Sequence, residues 1–431
     1  MRRPSVTGGP AASEPTVAGW RRADQLIIAA ALGLGIAIRL WLLPSDGLRG
    51  DIDQFVVWVH HIATRGLGTL YGGTADPVGF GPVMAYVWAA LAAVQPAFAT
   101  VTDAADPGIR ILMKLPATIA DFGLAAVVAV GLRDRPHWAA IAVAAILLHP
   151  VVFYVSAWWG QYESLFALTA VAAILAAING RNGLAAALLV VSLLTKPQAL
   201  PFVVPFAGWF WAVGYALGGV RGALTEVTRA ALIGIAVLVV LWLPFLAAGG
   251  PLAYLEGLRH YQDEVFNALS LNAWNAWWLL QETTPGIGFI ADDIRVLGPI
   301  TLRTLGYVLT GAFSACVAVA IARDPTPRRL IVGATASVLV FFVFMTQMHE
   351  RYAYAAVVVS TLLLPDRRLR WAWLILGIVV ALNQVAAVPP SPEVASLLPV
   401  AGILGVTGSV AIIAVTAILL VDLGRRRPVG T

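Results

Sequence analysis

Long apolar runs dominate the chain, and short turns that carry arginine and acidic residues separate them. Many of these runs reach the roughly 20 residues that an α-helix needs to cross the hydrocarbon of a bilayer. Apolar runs that alternate with arginine-rich turns do not fit strands, so helices are expected to satisfy the backbone hydrogen bonds. The pattern predicts an all-α, polytopic transmembrane bundle of about twelve spans, at residues 24–43, 109–131, 138–157, 161–178, 183–195, 201–219, 229–247, 299–322, 329–346, 352–364, 370–388 and 397–421.

The arginines in the turns orient these spans. With the N-terminus inside, the cytoplasmic segments hold 18 of the 28 basic residues, and positive residues favour the cytoplasmic side. Both termini are then cytoplasmic, and residues 1–22, which lack an apolar signal region, are expected to form a disordered tail.

Two long segments, 44–108 and 248–298, fall on the other side of the membrane under this orientation. Residues 80–96 are apolar enough to span, but a crossing there would turn every later arginine-rich loop outward, so we expect a helix at the outer surface. The spans 183–195 and 352–364 are too short for the hydrocarbon. Lys196 and Arg351, at their outer ends, should therefore lie below the interface beside a water-accessible cavity.

The composition agrees with a protein that has the bilayer as its solvent. Hydrophobic residues make up 59% of the chain and charged residues 12%, about half of the usual share. The net charge of +5 is scattered over short loops, which does not indicate nucleic-acid binding. The single cysteine, Cys316, excludes a disulfide framework and thiolate metal sites. Only Lys114 and Lys196 are lysines, which together with abundant alanine and glycine indicates a GC-rich bacterial genome.

The first candidate site is Asp51 with Asp53, directly after the first span and before an amphipathic stretch at 53–66 that we expect to lie at the interface. Either carboxylate could act as a general base toward a hydroxyl group. Both could instead only cap the helix that follows.

A second cluster lies at the outer turn between two spans, at Trp159, Gln161, Tyr162 and Glu163. An interfacial aromatic belt accounts for the two aromatic residues. It does not account for an amide and a carboxylate at the start of an apolar helix, whereas a sugar site does.

Two further clusters contain cations. Lys196 is followed by Gln198 in the sequence TKPQ and could neutralise a leaving phosphate or simply extend to the interface. His349, Glu350 and Arg351 follow one another between two apolar runs. His349 and Arg351 could hold phosphate while Glu350 orients one of them or contacts the sugar or acceptor, or the three could form an ordinary turn. No HxxxH spacing accompanies them, so no metal is expected.

The fifth cluster lies in the second external segment and contains residues 259–264, which include Tyr261 and Gln262, followed by Asn272, Trp274 and Asn275. It could form a lid over a sugar, or an aromatic belt with turn-forming asparagines. Within the spans, Lys114, Asp121 and His149 are expected to have structural roles.

These motifs, GD-I-D, WGQYES, KPQA, NAWNAW and MHERY, occur in an order that resembles the membrane glycosyltransferases of the GT-C superfamily, over about residues 45–365. The order is also similar to that of the endoplasmic-reticulum glucosyltransferases that use dolichyl-phosphate-glucose. The resemblance implies a GT-C-like catalytic region at 23–365, followed by C-terminal helices and a tail at 366–431. It also implies a polyprenyl-phosphate sugar donor, inversion at the anomeric carbon and no cofactor or divalent metal. The family's catalytic base matches Asp51.

The resulting expectation is an inverting transferase that moves a hexose or pentose to a lipid or glycan acceptor at the non-cytoplasmic face of a bacterial plasma membrane. Donor phosphate would meet Lys196, His349 and Arg351. A transporter or flippase is the main alternative, and a non-catalytic scaffold is a third. A cavity shared by Asp51, Lys196 and the 349–351 turn would favour the transferase.

Overall fold

The computed structural model describes residues 19–73, 77–283 and 289–425, and these residues form an almost entirely helical molecule. Residues 1–18 of the expected tail at 1–22 lie outside the described residues. The first helix begins at Arg22. The described α-helices, α1 to α18 in chain order, are Arg22–Leu42, Arg49–Arg65, Leu70–Gly73, Pro82–Val94, Pro107–Gly131, Pro136–Leu147, Pro150–Phe153, Glu163–Ile178, Asn182–Thr195, Val203–Trp242, Gly250–His260, Ala276–Glu282, Leu302–Arg323, Pro327–Phe344, Tyr354–Ser360, Arg370–Ala387, Pro392–Leu397 and Ile403–Gly424.

Short strands occur only near the external segments of the described chain. Strand β1 (Ser270–Leu271) pairs in parallel with β4 (Met348–His349), and β2 (Arg295–Leu297) pairs antiparallel with β3 (Ile300–Thr301). The β1–β4 pair ties the segment 248–298, which is predicted to be external, to the MHERY turn. The predicted all-α class is thereby confirmed.

Seven of the described helices are long and apolar enough to cross a membrane, and eight if the bent pair α6–α7 with its following π-helical turn counts as one span. The protein is therefore a multi-pass membrane protein, while the number twelve stays a prediction. Helices α8 and α9 are shorter than a full span, and the predicted 352–364 run is a seven-residue α-helix between 3-10 turns. Helix α10 breaks at Gly218 and Gly219, which divides it into two arms near the predicted gap between spans.

Residues 80–96 form the 13-residue helix α4, which is about 20 Å long and too short to cross the hydrocarbon. It packs against α2, whose apolar face buries Phe55, Trp58 and Val59. The stretch 53–66, predicted to lie at the lipid interface, is therefore covered by protein. Its apolar face packs against the aromatic side chains of the same segment rather than against the bilayer.

A buried ion pair joins three helices inside the bundle. Arg39 of α1 donates from Nε to Oδ2 of Asp121 in α5 at 2.9 Å, and Ser164 of α8 donates to the same carboxylate. The side chain of Arg39 is 2% exposed and that of Asp121 is fully buried. Lys114, on the same face of α5, donates to the Ser45 carbonyl at 2.8 Å and so fixes the loop that precedes α2. The structural roles expected of Lys114 and Asp121 agree with these contacts.

Candidate active site

A cavity of about 500 Å³ opens at the predicted outer end of the bundle. It lies where the start of α2, the turn before α8, the end of α9 and the turn before α15 come together. The side chains of Asp51, Gln161, Lys196, Gln198 and Arg351 line it. Five residues predicted from four separate motifs therefore share one cavity.

Asp51 lies in the first turn of α2, yet its carboxylate is held by a different segment of the chain. Its Oδ2 accepts hydrogen bonds from Trp159 Nε1 at 2.9 Å and from Gln161 Nε2 at 2.5 Å. The residue before the helix, Leu48, makes no side-chain cap. These contacts orient the carboxylate toward the cavity, which capping alone would not require.

Two glycines allow the loop before α2 to approach the WGQ turn closely. Gly47 has φ of +59°, and a Cβ atom there would lie 2.2 Å from the Trp158 carbonyl oxygen. Gly160 has φ of +93° in the turn itself. Since L-residues rarely adopt such angles, glycine at both positions permits the contact that brings Asp51 to Gln161.

Lys196 lies in the turn between α9 and the 3-10 helix Pro197–Phe202, and it is 3% exposed. Its Nζ donates to Gln161 Oε1 at 3.0 Å and to Glu163 Oε1 at 2.5 Å, and lies 5.1 Å from the ring centre of Phe80. Burial lowers the pKa of Lys196 to about 8, because the charged form loses its hydration, although the charge of Glu163 opposes this effect.

Arg351 approaches the same carboxylate from the other side. Its Nη1 donates to Glu350 Oε1 at 3.1 Å, and its Nε lies 3.4 Å from Glu163 Oε1. The guanidinium carbon lies 5.0 Å from the ring centre of Trp159, in a cation–π arrangement. Glu163 thus sits between the two cations and holds them beside the cavity.

Both cations of this cluster are paired without any ligand. Lys196 pairs with Glu163, and Arg351 pairs with Glu163 and Glu350. Burial opposes ionisation of Glu350, but His349 and Arg351 beside it keep the pKa of that carboxyl below its ordinary value. The two cations are therefore paired before any phosphate arrives.

His349 lies one layer behind the cavity wall and does not line it. Its ring packs edge-on against Phe266 and Tyr352, with ring centres 5.0 and 5.2 Å away. Burial, followed by the charge of Arg351, lowers the pKa of His349 below its ordinary value, so the ring is neutral near pH 7. His349 therefore supports the turn and does not add a cation to it.

Some predicted site residues are placed elsewhere. Asp53 is paired with Arg49 at 2.9 Å and accepts from the Ala104 amide at 2.8 Å, outside the cavity lining. Tyr162 is fully buried and donates to the Met113 carbonyl at 3.0 Å. Both residues hold the segment 44–108 against the bundle.

The NAWN cluster of the second external segment also serves the fold in this structure. Asn272 has φ of +61° and pairs with His349, and Asn275 caps α12 through the Trp278 amide. Trp274 is fully buried and donates to the Val400 carbonyl at 2.8 Å. These three residues position the MHERY turn and do not line the cavity.

Tyr261 and Gln262, from the fifth predicted cluster, also line the cavity. Its wall further contains three polar residues that no sequence motif indicated, Gln54, Tyr307 and Gln347. Gln347 has φ of +62°, and its side chain donates to the Gln262 carbonyl at 2.8 Å and to Asp292 Oδ2 at 3.0 Å. The position of Gln347 directly before MHERY was the only signal in the sequence. A single glutamine beside a motif is too common to predict a site residue.

Within the described residues, no three histidine, cysteine, aspartate or glutamate side chains are grouped as metal ligands. Gln198 Oε1 is buried at the cavity and has no hydrogen-bond partner in the described part of the chain. An unpaired buried acceptor is costly, so this atom is available to a hydroxyl group of a ligand.

The fold and the site together define a polytopic helical membrane protein with paired cations and a carboxylate at one cavity. The profile of the ALG6, ALG8 glycosyltransferase family matches residues 82–389, well over half of the chain, and the chain belongs to this family. No curated protein matches the chain significantly. The protein is therefore a membrane glycosyltransferase that uses a lipid-linked sugar, and this finding favours the transferase over the transporter and scaffold alternatives. Asp51 precedes the matched region.

Proposed function

We propose that this protein transfers a hexose or pentose from a polyprenyl-phosphate carrier to a hydroxyl group of a lipid or glycan acceptor, with inversion of the anomeric carbon. The proposal rests on one observation above all: Asp51, Lys196 and Arg351 line the same cavity. A base and two cations are the groups that such a transfer needs on opposite sides of the reacting carbon.

In the proposed step, the acceptor oxygen attacks the anomeric carbon while its proton passes to the Asp51 carboxylate. The bond between that carbon and the phosphate oxygen breaks, and polyprenyl phosphate leaves with an additional negative charge. Lys196 and Arg351 stabilise this charge in a buried setting, where it is worth more than in water. Attack from the side opposite the leaving phosphate inverts the anomeric carbon.

The arginine distribution supports a location for this chemistry. The turns at the end of the bundle remote from the cavity carry Arg133, Arg135, Arg367 and Arg368, and such clusters favour the cytoplasm. The cavity would then face the non-cytoplasmic side of a bacterial plasma membrane, with both chain termini in the cytoplasm. Nucleotide sugars are cytoplasmic, so a flipped lipid-linked sugar is the donor that suits this side.

The test compares Asp51→Asn with Asp53→Asn, a matched control that makes the same change two residues away on the same helix. With purified protein and a panel of radiolabelled polyprenyl-phosphate sugars, Asp51→Asn should lower kcat by about 10²- to 10⁴-fold, the range of a lost general base. Donor binding should persist, because neither cation is changed.

Asp53→Asn should keep most of the activity, since its carboxylate contacts Arg49 and a backbone amide rather than the cavity. Elution as a single species in detergent and an unchanged melting temperature would show that both variants fold. Near-normal turnover by Asp51→Asn, or an equal loss in both variants, would overturn the assignment of the base.

A further inference from the structure

A second cavity, of about 860 Å³, lies at the other end of the bundle. Helix α14 connects the two cavities: Arg328 in its first turn lines the second one, and Met345 directly after its last residue lines the candidate active site. The helix has 18 residues and is about 27 Å long. The second cavity is therefore remote from the proposed chemistry.

Arginines from three separate turns converge on this cavity. They are Arg135, Arg328, Arg367 and Arg368. Arg328 is already neutralised, since it pairs with Asp366 at 2.8 Å and with Asp422 at 2.5 Å. The other three are exposed, and none of them forms an ion pair among residues 19–73, 77–283 and 289–425. One further acid of the lining, Asp134, pairs with Arg133 outside the cavity. The cavity thus presents three guanidinium groups that can bind an anion.

The turn that bears Arg367 and Arg368 is held at both ends. Asp366 is fixed by Arg328 and also accepts from the Arg368 amide at 2.9 Å. Arg370, after the turn, lies 4.1 Å from the ring centre of Trp138 and donates to the Leu364 carbonyl at 2.9 Å. Because these contacts set the turn before any ligand binds, little ordering cost remains for a bound anion.

The floor of the same cavity is apolar. Leu132, Ile331, Leu362, Leu363 and Pro365 form it. A soluble anion would gain nothing from such a floor, whereas the glycerol backbone and first acyl carbons of a lipid would cover it. Basic pockets between membrane helices on the cytoplasmic side are of the type that binds anionic lipid head groups.

We propose that this cavity binds the phosphate-bearing head group of an anionic phospholipid, with Arg135, Arg367 and Arg368 on the phosphate and the acyl chains against the apolar floor. Arginines that only set topology act by their number near the membrane, not by their positions. A site, in contrast, depends on which arginines are removed. This difference makes the proposal testable independently of the transferase reaction.

The experiment measures lipid retention by native mass spectrometry on the delipidated full chain, titrated with phosphatidylglycerol or with phosphatidylcholine. Wild type should bind one phosphatidylglycerol more tightly than any phosphatidylcholine. Arg367→Gln/Arg368→Gln should weaken that first binding by roughly thirtyfold, since each basic residue near an anionic lipid contributes about fivefold. The matched control is Arg221→Gln/Arg323→Gln, which removes the same charge from two exposed arginines outside the cavity and should bind as wild type does.

The single variant Arg135→Gln tests the cavity from a different turn of the chain. It should weaken phosphatidylglycerol binding by about fivefold. Equal weakening in both double variants, or none in either, would overturn the proposal. A third arm adds inorganic phosphate alone at millimolar concentration. Stabilisation by phosphate without a preference for phosphatidylglycerol would replace the lipid by a soluble anion and also overturn it.

Discussion

At the scale of single residues, the protonation of Lys196 sets a limit on the proposed reaction. Its pKa of about 8 means that the side chain is cationic below that pH and increasingly neutral above it. The value of kcat/KM for the donor, which reports the free enzyme, should therefore fall as the pH rises through about 8, approaching tenfold per pH unit.

The variant Lys196→Arg keeps a cation at all accessible pH values, since arginine does not lose its proton in this range. Its alkaline decline should shift upward by more than one pH unit, even if its maximum is lower. A pH profile identical to that of wild type would show that another group causes the decline.

Glu163 is the residue on which both cations depend. Glu163→Gln keeps a partner for Lys196 but removes the charge between Lys196 and Arg351. Polyprenyl phosphate, the proposed product, should inhibit this variant about tenfold more strongly than wild type, because Lys196 loses its carboxylate partner and Arg351 keeps only Glu350. At the same time kcat should fall, since the cations are less well positioned.

The control is Glu264→Gln, an exposed acid outside the cavity lining, and inhibition constants from initial rates provide the comparison. If the inhibition constant of Glu163→Gln equals that of wild type, Glu163 does not hold the cations in competition with phosphate.

At the scale of elements, one close contact aligns α4 with α9. The Gly81 amide donates to the Thr195 carbonyl at 3.3 Å, and a Cβ atom at residue 81 would lie 2.2 Å from the Leu194 carbonyl oxygen. This contact sets Phe80 over Lys196. Gly81→Ala should therefore separate the two helices, at a cost of about 1–3 kcal/mol.

The measurements for Gly81→Ala are the melting temperature in detergent and the initial transfer rate, both of which should decrease. Gly33→Ala is the control, because nothing lies within 4 Å of a Cβ atom at that position. A Gly81→Ala protein as stable and active as this control would show that the contact can relax.

The sequence predicted the helices well where an apolar run stands between clear end signals. Helix α5 begins after Asp106, which caps it, and has proline in its first turn, close to the predicted start at residue 109. Breaks within an apolar run are harder to predict, because they depend on packing. The bend of 43° lies between Leu147 and Pro150, inside the predicted span 138–157, and the hairpin at Gly218 and Gly219 depends on close contact of its two arms.

The part of the site that could be predicted consists of charged residues within apolar sequence. Lys196, Arg351 and Glu163 stand out because burial of such groups is costly. Asp51 could not be separated from Asp53 by pattern alone, since the difference lies in Trp159 and Gln161, which are more than 100 residues away. The NAWN residues looked like sugar-binding residues. Asparagine and tryptophan side chains donate hydrogen bonds to sugar hydroxyl groups, but here they donate to backbone carbonyls.

At the scale of the whole molecule, the ion pair between Arg39 and Asp121 holds α1, α5 and α8 together below the cavity. Removal of one partner leaves an uncompensated buried charge. Arg39→Met should therefore lower stability by about 3–5 kcal/mol, and the double variant Arg39→Met/Asp121→Leu should recover most of that loss.

Thermal unfolding in detergent, followed by tryptophan fluorescence, tests both variants under one set of conditions. Ser164 belongs to this network and directly follows Glu163 in the chain. Arg39→Met should accordingly reduce transfer activity as well as the melting temperature. A single variant as stable as wild type, or a double variant less stable than the single one, would contradict this account.

The paired charges of the outer cavity also decide which anions can compete with the donor. Lys196 and Arg351 are already neutralised by Glu163 and Glu350, so a small free phosphate gains little when it replaces those carboxylates. A lipid-linked donor that also places a long hydrocarbon chain against apolar surface has a second source of affinity, of about 0.8 kcal/mol for each buried CH₂ group. Selection among phosphate-bearing compounds then depends on the hydrocarbon that they carry rather than on their charge.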